Sequence, residues 1–225
     1  MTPPVLLDLY CCQGGASEGY RRAGFTVIGF DKDPQPRYPF KFVRADALEV
    51  LATVAALGSI KIEGGWVRPK AIAASPPCQG GTNAQKIQNN EHPRLIAPTR
   101  TLLDQTGLPY VIENVVPMAG VEDADPLKDP AMLCGASFGL RTYRHRLFET
   151  NWGLTVPEHQ PHTQTQVKMG RPIQPGDFYQ AVGNFSGVDI ARRDMGVPWM
   201  NRDGVRECIP PAYAEHVGRQ LLAIL

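Results

Sequence analysis

Long apolar runs are missing from this 225-residue sequence. None approaches the ~20 residues that a bilayer span requires, and no charged-then-apolar leader opens the chain, so a soluble protein with no membrane partner is expected. Charge of one sign is missing too: 23 Lys and Arg stand against 22 Asp and Glu, a formal net charge of +1. A field that weak does not announce a nucleic-acid binder and leaves any such contact to local arginines. Cysteine is sparse and odd in number at five, no two form a CxxC pair, and the five histidines do not sit at zinc-ligand spacings. Neither a disulfide framework nor a metal is therefore expected, which favours a reducing cytoplasm. Low-complexity segments and repeats are lacking, with Gly and Pro spread along the chain. With no GxGxxG and no Walker lysine, dinucleotides and ATP give way to a smaller adenosine ligand.

What is present is an alternation of short apolar strands and helices. At this length one domain buries about 70% of its unfolded surface. Strands are expected at Val5 to Tyr10, Thr26 to Phe30, Phe42 to Val43, Lys70 to Ala74 and Pro109 to Ile112, with helices at Ser17 to Ala23 and Ala47 to Leu57. This order predicts an α/β fold, a mostly parallel sheet with helices on both faces. Ligands in such sheets collect beyond the carboxyl ends of the strands, where Asp8, Asp31, Asp46, Cys78 and Glu113 all fall. Two further strands are possible around Met132 to Gly135 and Arg146 to Glu149, and Pro211 to Leu225 reads as a closing helix. Between Thr150 and Arg206 only short pieces rich in Gly, Pro, Gln and His are visible.

Three constellations carry chemistry. Tyr10-Cys11-Cys12-Gln13-Gly14-Gly15 lets backbone approach a ligand after the first strand, and Asp31 ends the second strand, where an acid hydrogen-bonds a ribose. A Gly-Gly turn alone is more often just a tight turn. Ser75-Pro76-Pro77-Cys78-Gln79 presents a thiol on a stiff, extended loop, because proline fixes φ and pushes its predecessor out of the helical region. Lone cysteines usually pack in cores, but these prolines and the sequel Gly80-Gly81 argue against it. A thiol near pKa 8.5 needs a positive neighbour to act as a nucleophile, and Arg144 and Arg146 are available. Strand alternation would point both arginines to one side, while Glu113, at a strand end, suits either catalysis or an ordinary salt bridge with one of them.

Together these motifs resemble the DNA cytosine-5 methyltransferase family, most closely its small stand-alone bacteriophage enzymes. Asp8-Leu9-Tyr10 with Gly14-Gly15 is similar to the first cofactor motif, Pro76-Pro77-Cys78-Gln79 to the nucleophile motif, Glu113-Asn114-Val115 to the glutamate motif and Arg144-His145-Arg146 to the paired-arginine motif. Ile209-Pro210-Pro211 is similar to the last motif, which in the family returns to close the cofactor pocket. The resemblance implies a Rossmann-like fold carrying S-adenosyl-L-methionine, with a catalytic domain over residues 1–150, a much reduced recognition region over 151–205 and a returning helix over 206–225.

It also implies residue roles. Cys78 would add to cytosine C6, Glu113 would act at N3, and Arg144 and Arg146 would orient the base and stabilise the thiolate. Asp8, Tyr10, Cys11, Cys12, Gln13, Gly14, Gly15, Asp31, Lys32, Asp46, Ala47 and Pro77 would form the cofactor site, with Asp31 on the ribose and Asp46 on the adenine amino group. Residues 80–90 are the expected closing loop. Three departures stand out: Cys12 at a usual glycine, Thr142 at a usual glutamine, and only about fifty residues where relatives carry a target-recognition domain. Short, relaxed or partner-assisted recognition of double-stranded DNA is thus expected, in a bacterial cytoplasm. Open alternatives are an exocyclic amino-methyltransferase, an RNA cytosine-5 enzyme, and a silent subunit or decoy of a restriction-modification system.

Overall fold

The structure, a computed structural model, describes residues 2–77, 94–117, 125–167 and 170–225. Strand β1 (Val5–Leu9) runs into a turn whose Gly14 adopts φ 82°, and helix α1 (Gly15–Ala23) follows, stopped by Gly24 in the left-handed region. Strands β2 (Thr26–Asp31) and β3 (Lys41–Arg44) precede α2 (Ala47–Leu57). Asp46 caps α2 by accepting from the amides of Leu48 and Glu49, and Gly58 ends it. A small hairpin, β4 (Ile60–Ile62) and β5 (Gly65–Val67), leads to β6 (Ala71–Ala74). Then come α3 (Ile96–Thr106), β7 (Tyr110–Val115), β8 (Ala131–Leu133), a 3₁₀ turn (Gly135–Phe138) and β9 (Arg146–Thr150). Helices α4 (Val188–Met195), α5 (Arg202–Glu207) and α6 (Pro211–Ala223) complete the chain.

Among the described residues seven strands form one sheet in the order β3-β2-β1-β6-β7-β9-β8. The pairs from β3 through β7 are parallel, whereas β9 lies antiparallel to both β7 and β8. The sheet is thus mostly parallel, as expected, with an antiparallel edge at β9 and β8. Alternation along the buried strands divides the core by face. Leu6, Ala71, Ala73 and Val111 point to α1 and α6, while Leu7, Leu9, Ile72, Ala74 and Ile112 point to α2 and α3. Strand order reverses between β1 and β6, and the crevice at their carboxyl ends is where such sheets bind ligands.

Residues 173–208 gather a third core around Tyr179, Phe185, Ala191, Met195 and Val205. Helix α6 returns onto α1 so closely that a Cβ on Gly19 would stand 2.3 Å from the Pro211 carbonyl oxygen. No helix among the described residues is long and apolar enough to cross a membrane.

Candidate functional site

A cleft of about 580 Å³ opens at the carboxyl ends of β1, β2, β6 and β7. Its size falls in the range of small-molecule sites. Asp8, Tyr10, Cys11, Cys12, Gln13, Gly15, Asp31, Lys32, Asp46, Ala47, Pro77, Glu113 and Arg146 all line it. Cys78 and the expected closing loop lie outside the described residues.

The turn after β1 supplies the cleft's floor. Tyr10 and Cys12 both take positive φ, 58° and 46°. In this left-handed region a Cβ crowds the following carbonyl, which accounts for the glycine usual at the Cys12 position in the resembling family. The Cys12 amide donates to Asp31 Oδ2 at 3.0 Å and the Asp33 amide to Asp31 Oδ1 at 3.0 Å. These bonds fix the carboxylate while leaving it lone pairs for ligand hydroxyls. Gly15 is required by close approach: a Cβ there would meet the Ile209 carbonyl oxygen at 2.5 Å. Gly14 does not line the cleft; its place is the turn itself, under the Tyr38 ring.

Gln13 does more than face the cleft. Its side chain donates to Asn201 Oδ1 at 2.8 Å and accepts from the Asn201 amide at 3.1 Å, while its carbonyl accepts from Trp199 Nε1 at 2.7 Å. The cofactor turn is thereby clamped to the C-terminal segment, which adds Met200, Gly204, Arg206, Glu207, Cys208 and Ile209 to the wall. Sequence reading did not single out Gln13 as a clamp or Glu207 as lining. Both contacts span nearly the whole chain, and no local pattern announces them.

Beneath the floor sits Asp8, buried and hydrogen-bonded by Ser17, whose hydroxyl also meets the Tyr38 hydroxyl at 2.8 Å. Burial, reinforced by nearby Asp31 and Glu113 and opposed by the Ser17 bond, pushes the Asp8 carboxyl up to about 7.

The far wall holds the acid. Glu113, on β7, is buried, and burial raises its carboxyl above the usual range against the pull of Arg146, Arg144 and a Ser75 hydrogen bond. Arg146 Nε stands 3.0 Å from Glu113 Oε1, an ion-pair distance, yet the angle is not that of a hydrogen bond. Among the described residues this buried oxygen has no hydrogen-bond partner. Beside it, Asn114 Nδ2 donates to the Pro76 carbonyl at 3.0 Å and the Ser75 amide to the Leu9 carbonyl at 3.2 Å. The segment running into Cys78 is pinned against the acid.

Arg144 corrects the alternation argument. Strand β9 begins only at Arg146, and Arg144 takes φ 30° in the preceding loop. Its buried guanidinium donates to the carbonyls of Cys208, Arg206 and Ala181 and does not line the cleft. Burial lowers it to about 10, so it stays charged at neutral pH. Arg144 is a bolt between β9, α5 and the third core, and Arg146 alone of the pair faces the cleft.

Metal-ligand side chains meet where their spacing in the sequence predicted no site. Cys134, His145, His159 and His162 converge outside the cleft, each offering one ligand atom, all within 4.8 Å of one another.

The cleft suits S-adenosyl-L-methionine. The Asp31 carboxylate is held by two amides with lone pairs to spare, Gly15 allows close backbone approach, and the volume is that of a small-molecule site. No protein-family profile matches the chain. It is 25% identical over 132 residues to the type II methyltransferase M.AgeI of Thalassovita gelatinovora, covering 55% of this chain and 30% of that protein. Among solved structures it is similar to the Entamoeba histolytica methyltransferase EhMeth, with a TM-score of 0.58 at 12% identity, covering 100% of this chain and 99% of that one. It is also similar to the Dnmt2 methyltransferase of S. pombe, with a TM-score of 0.45 at 19% identity over 66% of this chain and 49% of that one. The chain thus spans less than a third of the length of the curated relative it matches.

Proposed function

We propose that this chain, whose fold is that of S-adenosylmethionine-dependent methyltransferases, methylates C5 of a flipped-out cytosine in DNA. Glu113 carries the reading. It is a buried carboxyl raised toward protonation, with one oxygen lacking a hydrogen-bond partner among the described residues, in the same cleft as Asp31 and Pro77. Pro77 directly precedes Cys78 in sequence.

When bound, S-adenosylmethionine supplies an electrophilic methyl group. Asp31 binds its ribose, Asp46 and Tyr10 serve the adenosyl moiety, and Pro77 meets the methionine end, as the family resemblance implies. Cytosine C5 is a weak nucleophile, so the chain must enrich it. The thiolate of Cys78 adds to C6, and Glu113 gives N3 a proton or hydrogen bond that spreads the negative charge built up by the addition. Arg146 stabilises charge beside Glu113. After C5 is alkylated, loss of its proton expels the sulfur and restores the ring. Because C6 is out of reach in stacked duplex, the base must be extruded, costing a few kcal/mol.

With only residues 151–205 in place of a recognition domain, sequence recognition is short, relaxed or supplied by a partner protein. Methylation mapped across random-sequence DNA tests this; a long unique site refutes it.

DNA carrying 5-fluorocytosine tests the mechanism, since fluorine cannot leave as a proton does. Incubation with cofactor is expected to join protein to DNA covalently, and Cys78→Ala to abolish the adduct while retaining S-adenosylmethionine binding. A Cys78→Ala protein that methylates at the wild-type rate removes the thiol from the mechanism. Digestion to nucleosides separates C5 from N4 or N6 products, and competition between tRNA and DNA separates the substrates.

A further inference from the structure

Outside the cleft, four side chains from separate parts of the chain bring soft and borderline donor atoms together. Cys134 stands just after β8 and caps the 3₁₀ turn, His145 sits between Arg144 and Arg146, and His159 and His162 come from the irregular segment beyond β9. Cys134 Sγ is 3.5 Å from His162 Nε2, and His145 Nε2 is 3.1 Å from His159 Nε2 and 3.3 Å from His162 Nε2.

Three of the six edges of a coordination tetrahedron have these lengths, and the remaining pairs of ligand atoms fall within 4.8 Å. With Zn–N near 2.0–2.1 Å and Zn–S near 2.3 Å, a tetrahedral centre sets N···N edges of about 3.4 Å and S···N edges of about 3.6 Å. Hydrogen bonding alone does not satisfy the same geometry. A neutral imidazole nitrogen carries one proton or one lone pair, so His145 Nε2 can serve only one of its two nitrogen neighbours. Protonating the rings instead places like charges about as close as the nitrogens themselves, a strongly unfavourable arrangement. A cation at the centre uses every inward lone pair at once.

The surroundings fit a ligand set. The three imidazoles are tilted against one another by 34–58°, with centroids 4.9–5.1 Å apart, rather than stacked. Tyr143 stacks flat on His162 at 3.5 Å and 7°, and its hydroxyl is locked between the Gln164 carbonyl and amide. The orientation of the His162 ring is therefore set from outside the cluster.

We propose that Cys134, His145, His159 and His162 bind one structural zinc ion. One thiolate and three imidazoles are a zinc donor set, and four protein ligands leave no position open for chemistry. The ion ties the helix-free stretch around residues 159–162 to the sheet and fixes the loop that carries Arg144 and leads into Arg146 at the start of β9. Sequence spacing concealed it because the ligands come from three separate stretches; only His159-Gln160-Pro161-His162, two histidines with two residues between them, offers a local sign.

The test is elemental analysis of the full chain purified without added metal or a metal-binding tag. One equivalent of zinc per chain is expected, falling below a tenth in the His159→Ala/His162→Ala double variant. Both of those side chains are exposed, so the variant should keep its fold, checked by circular dichroism. Cobalt exchanged into the wild type should give intense tetrahedral visible bands and a sulfur-to-cobalt charge-transfer band, with the latter lost in Cys134→Ser. Zinc-free wild-type protein that also takes up no cobalt, or a folded double variant that retains its full equivalent, overturns the proposal.

Discussion

Arg146 Nε stands 3.0 Å from Glu113 Oε1 without hydrogen-bonding it, and the arginine reaches this place from a strand antiparallel to the one that carries the acid. Arg146 pairs with Val115, two residues along β7 from Glu113, so the guanidinium comes in along a diagonal. The pair leaves the carboxyl available to a third party. Glu113→Gln keeps the shape and removes the proton donor and charge. Methyl transfer in single-turnover assays is expected to fall about 10²–10⁴-fold, with S-adenosylmethionine affinity by calorimetry unchanged. Unaltered turnover would remove Glu113 from the chemistry.

Asp8 makes stability depend on pH. Its folded-state value is raised from 3.8 to about 7, so the folded chain binds the proton more tightly than the unfolded one. The stabilisation from this group is complete below about pH 4, declines as pH rises toward 7 and is gone above it. Over that window the effect is on the order of 4 kcal/mol, at about 1.4 kcal/mol per unit. Asp8→Asn still accepts from Ser17 and should flatten the curve, measured as the difference in denaturant midpoint between the two proteins from pH 4 to 8. Parallel curves would contradict the assignment.

Cys12 holds φ 46°. A non-glycine residue in that region is strained by roughly 1–2 kcal/mol, whereas adding glycine loosens the unfolded chain by about 0.4–1 kcal/mol. The first effect outweighs the second. Cys12→Gly is therefore expected to leave stability unchanged or raise it by up to about 1.6 kcal/mol, with cofactor affinity retained. A clear loss of stability in urea titrations would show that the sulfur's packing matters more than the backbone.

A buried ion pair anchors the sheet's antiparallel edge. Arg100 Nε and an Nη donate to Glu149 at 2.6 and 2.8 Å, the same Nη reaches the Pro126 carbonyl at 2.8 Å, and the Lys128 amide donates to Glu149 at 2.7 Å. Removing one partner strands a buried charge. Arg100→Met should cost about 3–5 kcal/mol in chemical denaturation, and a second change, Glu149→Leu, should recover part of it.

Much of the cleft was legible in the sequence because its residues sit at strand ends. Asp31 and Glu113 follow apolar runs, and Asp46 begins a helix whose bounds, Ala47–Leu57, agree with the periodic stretch. Local patterns carry that much. Helix α3 and the β4–β5 hairpin were not visible, since the helix contains Pro98 and the hairpin's strands are only three residues long. The side faced by Arg144 was misread because alternation presumes a strand, and the chain there turns through positive φ. The core around Tyr179 and Phe185 gave no periodic signal, being assembled from irregular backbone and two short helices.

The clamp between Gln13 and Asn201 joins residues near opposite ends of the chain. During synthesis the floor emerges first and the wall of Met200, Glu207 and Cys208 much later, Asn201 following Gln13 by 188 residues, so a nascent polypeptide has half a binding site until that stretch has been made. Ligand capture then waits on closure of a very long loop, and bound ligand should act as a latch that holds the two ends together once they meet.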